Sequence, residues 1–214
     1  MDTKLLHYEL QNILLGKSEV SYGKPIQAVA NYLRTSTPTS SMAQRDEPNK
    51  AEETERLIEY INQNHLWNCN IDFDLFLSEG AEQKVFIQQS NKVLKLNDSI
   101  YYAYWLDYFY SLLLNNYFFP DTSYELLGFY KTPDNLLYAV VEQNYIVATT
   151  PTDLHQVKDF LLNNGFVNTR NCDYYHPYLG IILEDLHDEN VLTANDMLYF
   201  IDTVFYVKSE IFWK

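Results

Sequence analysis

A chain of 214 residues with 47% apolar and 16% aromatic side chains can bury a real core, which excludes wholesale disorder. Its net charge of −14 leaves no basic face to displace phosphate counterions. That argues against nonspecific nucleic-acid binding and against anchoring to anionic membranes. A nucleotide stays admissible, because one local lysine, backbone N–H groups and a divalent ion suffice to hold phosphates.

Leu6, Leu10, Ile13 and Leu14 recur at helical spacing, which predicts a short amphipathic helix over Lys4 to Leu15. A second helix is expected from Pro25 to Arg34, with the proline in its first turn. Residues 35–50 are polar, contain prolines and read as a flexible linker, so residues 1–50 form a helical appendage to a domain over 51–214. Ala51 to His65 has acids in its first turn and Leu57, Ile58 and Ile61 on one face, the pattern of a helix. Two β-like runs, Lys84 to Gln88 and Lys92 to Leu96, joined by Gln89-Ser90-Asn91, predict a hairpin. Asp98 to Phe118 carries eight Tyr and Phe residues in a nearly uncharged run, which predicts a buried helix capped by Asp98.

A second hairpin is expected from Leu126 to Tyr130 and Leu136 to Val141 across Thr132-Pro133-Asp134-Asn135. Tyr145 to Ala148 reads as extended, and Pro151-Thr152-Asp153 opens a helix that stops at Gly165. Asn171 to His176 is polar. An apolar run from Leu179 to Leu183 then delivers Asp185, a short loop carries Asn190, and a hairpin turning at Ala194-Asn195-Asp196 ends on Asp202. This order describes an α+β domain with antiparallel sheet on one side and helix on the other. Cys69 and Cys172 have no paired spacing, which fits a reducing cytoplasm. No long uncharged apolar stretch occurs, so neither a signal peptide nor a membrane span is expected.

The chemistry concentrates between Leu183 and Asp202. Two carboxylates and an amide suit a hydroxyl-orienting base together with oxygen ligands for Mg²⁺. Taken alone, Asp185, Asp188 and Asn190 read equally well as turn formers, with Asp202 as a cap. Context adds Lys95, in the β-like run Val93-Leu94-Lys95-Leu96 just after a single-glycine turn.

These stretches resemble the protein-kinase-like superfamily. The nearest resemblance is to compact kinase domains of bacterial polyvalent proteins on mobile elements, and a more distant one is to aminoglycoside phosphotransferases. Asp185-Leu186-His187-Asp188-Glu189-Asn190 is similar to the family's catalytic loop, and Leu198-Tyr199-Phe200-Ile201-Asp202 to the strand ending in its metal-binding Asp. Glu79 to Phe86 resembles the phosphate-covering loop, and Lys92 to Leu96 the strand with the nucleotide-binding lysine.

The resemblance implies a minimal kinase-like fold with ATP and Mg²⁺ as cofactors. Asp185 would accept the hydrogen bond of the attacking hydroxyl, and Asn190 and Asp202 would hold the metal. Lys95 would bind the α- and β-phosphates, with backbone N–H groups around Gly80 and Ala81 covering them. Glu142 and Gln143 fall where a hinge would meet adenine, and His187 would orient the catalytic loop. The acceptor would be a protein or small-molecule hydroxyl.

The sequence also departs from the pattern. The phosphate loop has one glycine in place of three, Leu183 stands two residues before Asp185 in place of histidine, and Thr203-Val204 follow Asp202 in place of Phe-Gly. The predicted helix holds no glutamate to pair with Lys95, its only internal acid being Asp107. The chain runs to Lys214, twelve residues past Asp202, so the carboxy-terminal lobe is expected to be truncated and the amino-terminal helices to fold back over its underside. A catalytically silent module that keeps nucleotide or partner recognition is the alternative from a different class.

Overall fold

The computed structural model describes residues 3–36, 50–68, 70–88 and 91–212. The linker expected over 35–50 falls almost wholly outside these residues, as does Cys69. The chain divides into two compact units, one of Met1–Ser21, Tyr110–Ser123 and Ile146–Lys214, the other of Tyr22–Phe109 and Tyr124–Tyr145.

The second of these is built on a five-stranded antiparallel sheet: β1 (Phe76–Glu79), β2 (Gln83–Gln88), β3 (Lys92–Asn97), β4 (Glu125–Lys131) and β5 (Leu137–Asn144), ordered β1-β2-β3-β5-β4. Strand alternation puts Leu94 and Leu96 of β3 on one face, where they pack with Ile71, Phe86, Tyr138 and Val140. Val93 and Lys95 therefore take the opposite face.

Helices α2 (Gly23–Thr35) and α3 (Lys50–Gln63) belong to this unit and pack on each other, the Tyr32 and Tyr60 rings meeting at a 40° tilt with centres 4.7 Å apart. Helix α4 (Trp105–Phe118) begins here and continues into the other unit. Its first turn is fastened by α3. The buried Glu53 carboxylate accepts the Trp105 amide at 2.5 Å, where the helix dipole favours a negative charge. Thr54 accepts the Trp105 indole N–H at 3.0 Å, and the Lys50 ammonium donates to the carbonyls of Ser99 and Tyr102.

The other unit holds α1 (Thr3–Leu14), most of α4, and α5 (Leu154–Asn163). It also holds the four-stranded antiparallel sheet β11-β8-β7-β6 and the hairpin β9-β10. The strands are β6 (Val167–Arg170), β7 (Asp173–His176), β8 (Ile181–Glu184), β9 (Val191–Ala194), β10 (Met197–Phe200) and β11 (Val204–Val207). Helix α1 buries Leu10, Ile13 and Leu14, and Gln11 donates to the Ile211 carbonyl. Asp153 caps α5 by accepting the His155 amide at 2.9 Å. Gly165 ends α5 at φ +86°, with its added Cβ position only 2.8 Å from His176 Nε2, so glycine is required there by conformation and by space.

Among the described residues, five α-helices and antiparallel sheets make this the expected α+β fold with an amino-terminal helical segment. Three local expectations change. Helix α4 starts at Trp105 rather than beside Asp98, because Asp98 and Asn97 spend their side chains on local turns. Asn97 accepts the Ser99 amide at 2.7 Å and Asp98 the Ile100 amide at 3.0 Å, with Ser99 left-handed at φ 55°. The strand expected to end at Val141 runs on to Asn144, so Glu142 and Gln143 lie within β5 and not after it. The polar stretch around Asn171 is the turn of the β6–β7 hairpin.

Candidate active site

Strand β8 carries the chain to Glu184, and the backbone then turns sharply: Asp185 sits at φ 65°, a left-handed conformation that an aspartate adopts at some strain. Two hydrogen bonds from the β6–β7 turn hold it there. The Asp185 amide donates to Asp173 Oδ1 at 3.1 Å, and the Leu186 amide to the Cys172 carbonyl at 3.1 Å.

The exposed carboxylate that results is held at both oxygens. His187 Nε2 lies 3.2 Å from Asp185 Oδ1, and Asn190 Nδ2 lies 3.0 Å from Oδ2 and 2.8 Å from the Asp185 carbonyl. His187 Nδ1 accepts the Glu189 amide at 3.3 Å, and its Nε2 also lies 3.3 Å from Asn190 Nδ2.

Asn190 leads into β9 and Asp202 follows β10, so the hairpin register closes them together. Val191 pairs with Phe200 in the ladder, and the Asn190 carbonyl accepts the amides of Ile201 at 2.9 Å and Asp202 at 3.4 Å. Asp185, His187 and Asn190 are thus in side-chain contact, and Asp202 is joined to them through its backbone amide. Asp202 and Asn190 offer a carboxylate and an amide oxygen, a hard-donor pair that suits Mg²⁺, which keeps waters and substrate phosphates in its remaining positions. Among the described residues no group of three or more His, Cys, Asp or Glu is arranged to hold a metal.

The nucleotide candidates belong to the sheet unit. Lys95 occupies the central strand β3, paired with Val85 and Val141, and is 4% exposed. Its ammonium lies 5.4 Å from the Tyr124 ring centre. Asp107 engages elsewhere: as an early acid of α4 it accepts the Tyr104 amide, in the manner of a capping box, and feels the charge of Lys50. Burial raises its pKa to about 6.

Gly80 and Ala81 form the turn between β1 and β2, bridged by a Lys84–Glu79 ion pair at 3.1 Å. The Gly80 amide donates to the Gln83 carbonyl at 2.8 Å, and the space around its Cα is open. Glu142 pairs with Lys92 at 3.2 Å, and Gln143 is buried. The β4 ladder on β5 ends at Glu142, so from Gln143 onward β5 has a ladder partner only in β3.

Sequence reasoning missed Asp173. A left-handed Asn171, at φ 44°, in the tight turn before it was the available signal for the hairpin that presents it.

A five-stranded antiparallel sheet with a buried lysine on its middle strand, and a strand–loop–hairpin holding Asp, Asn and Asp, define a small kinase-like fold. The chain belongs to the family of serine/threonine/tyrosine kinases found in polyvalent proteins, whose model matches residues 50–209. No curated protein and no solved structure matches it.

Proposed function

We propose that this protein is an ATP- and Mg²⁺-dependent phosphotransferase that phosphorylates a protein or small-molecule hydroxyl. The observation that carries the reading is the doubly anchored Asp185 carboxylate beside Asn190, with Asp202 closed onto the same asparagine by the hairpin. Such a carboxylate orients the attacking hydroxyl and takes its proton as the new P–O bond forms and the β–γ bridge breaks. The divalent ion, held by Asn190 and Asp202, would neutralise charge on the phosphates. Lys95 is assigned to the α- and β-phosphates, backbone around Gly80 and Ala81 to covering them, and the β5 end at Glu142 and Gln143 to the adenine.

The domain that does this runs from about residue 51, since the family match begins at residue 50, where α3 starts. Residues 1–50 are an addition to it. Among the described residues no helix is long and apolar enough to cross a membrane, and a bacterial cytoplasm, where ATP is at hand, is the setting this reading implies.

One observation favours a silent binding module instead. The Gly80 amide, which a phosphate loop would offer to a nucleotide, is already donated to Gln83. The two readings part on a single substitution. Asp185→Asn should abolish ATP turnover and autophosphorylation while the rise in melting temperature produced by ATP and Mg²⁺ persists. Equal phosphate transfer by the wild type and Asp185→Asn would refute the enzyme reading.

A further inference from the structure

The chain between β10 and β11 carries Asp202 outside any strand, so its polar main-chain groups need partners beyond a ladder. Helix α4 and the turn after it supply them through three buried side chains, Ser111, Asn115 and Thr122, which meet the buried Thr203 of the connection itself. Thr203 Oγ1 donates to Asn115 Oδ1 at 2.8 Å, and Asn115 Nδ2 donates to the Thr122 carbonyl at 2.9 Å. Thr122 Oγ1 in turn donates to the Phe200 carbonyl at 2.6 Å. Ser111 Oγ accepts the Phe205 amide at 3.0 Å and donates to the Thr203 carbonyl at 3.5 Å.

Asp202 is thereby gripped from both sides, at Phe200 before it and at Thr203 and Phe205 after it. The fully buried Asn115 uses its oxygen as acceptor and its nitrogen as donor, so only an amide in one orientation completes the network. A core built for stability alone would put apolar side chains at these positions, since buried polar groups lose their water and regain only what their partners return. Three of these side chains, Ser111, Asn115 and Thr122, bond directly to residues within three positions of Asp202, and Thr122 Oγ1 lies nearer the Phe200 carbonyl, at 2.6 Å, than the Phe119 carbonyl, at 3.2 Å.

We propose that Ser111, Asn115, Thr122 and Thr203 are positioning residues for Asp202, setting its carboxylate against the Asn190 oxygen so that divalent-ion affinity depends on α4. The inference rests on the assignment of Asn190 and Asp202 as metal ligands. Thr203→Val keeps the shape of the side chain and removes the hydroxyl, whereas Thr203→Ser keeps the hydroxyl.

The probe is Mn²⁺ in place of Mg²⁺, titrated into the full chain with ADP and read by electron paramagnetic resonance of the free ion, without turnover. Thr203→Val should weaken Mn²⁺ retention about tenfold, and Thr203→Ser should restore it to near the wild-type value, as expected for loss of one buried, oriented hydrogen bond. Ser111→Ala, a smaller lesion that leaves the Thr203–Asn115 bond in place, should weaken retention several-fold and serves if the valine variant does not fold. Wild-type retention left unchanged by Thr203→Val and Ser111→Ala overturns the positioning role while leaving the metal assignment intact. No ADP-dependent Mn²⁺ retention by the wild type overturns both.

Discussion

The Asp173 carboxylate accepts the backbone amide of Asp185 at 3.1 Å, across the gap between the β6–β7 turn and the end of β8. A hydrogen bond to the main chain of a left-handed residue stabilises an otherwise strained conformation, so Asp173 acts on Asp185 by fixing its backbone. Asp173→Ala should lower kcat by about 10- to 100-fold, the effect of a small misplacement of a reacting group, with little change in KM for ATP. Asp173→Asn keeps an acceptor oxygen and should retain most of the rate. Steady-state kinetics of the two variants checks this, and equal kcat for Asp173→Ala and the wild type would remove Asp173 from the mechanism.

Lys95 is a buried cation on a central strand, and its assigned work is electrostatic. Lys95→Met preserves length and apolar stem while removing the charge. The melting-temperature rise caused by ADP and Mg²⁺, which reaches about 2.7 kcal/mol of stabilisation at a hundredfold excess of ligand over Kd, should shrink to a small fraction. Fluorimetric melting across an ADP titration reads it directly. A full-sized shift in the variant would mean that the phosphates are bound elsewhere.

Asp107 holds its proton more tightly in the folded chain, at about 6, than its ordinary value of 3.8, chiefly through burial. The stabilisation from that bound proton is fully present below pH 3.8 and is lost as pH rises through about 6. The loss amounts to roughly 3 kcal/mol at most, at about 1.4 kcal/mol for each tenfold in proton affinity. Asp107→Asn keeps a neutral acceptor for the Tyr104 amide, so its stability relative to the wild type should climb between pH 4 and pH 6 and then level off. Urea denaturation at several pH values measures the difference, and a flat difference would contradict the burial of this carboxyl.

Gly128 interrupts β4 at a bulge with φ +138°, and a Cβ there would lie 2.4 Å from the Leu66 carbonyl oxygen. That oxygen accepts the Phe129 amide at 2.9 Å, so it cannot withdraw without breaking the bridge between the strand and the segment after α3. Gly128→Ala should destabilise the protein by on the order of 3 kcal/mol, combining backbone strain with overpacking. Chemical denaturation monitored by tryptophan fluorescence tests it, and a change below about 1 kcal/mol would show that the bulge yields.

How far the sequence disclosed these features follows from the range of the interactions involved. The β2–β3 and β9–β10 hairpins were legible because apolar alternation and turn residues stand side by side in the chain. Asn195 and Asp196, both left-handed at φ 50° and 61°, are what such a two-residue turn demands. Strand β1 was not legible, since all four of its residues are exposed and no alternation marks a buried face. The start of α4 was misjudged because Asn97 and Asp98 look like caps but turn the chain locally. Asp185, Asn190 and Lys95 stood out through short patterns. Asp173, Ser111 and Asn115 did not, because their partners lie 12, 92 and 88 residues away and only folding brings them together.

The β9–β10 hairpin also imposes a counting rule. Asn190 and Asp202 are twelve positions apart, and the ladder pairs Val191 with Phe200 and Ala194 with Met197 around a two-residue turn. Adding one residue to each strand lengthens the hairpin and leaves Asn190 and Asp202 neighbours. Adding a single residue shifts the pairing by one and carries Asp202 to the wrong face, unless the turn is rebuilt around a bulge. Asp202 stands one place past Ile201, which falls opposite Asn190, and the interval between Asn190 and Asp202 tolerates change only in steps of two.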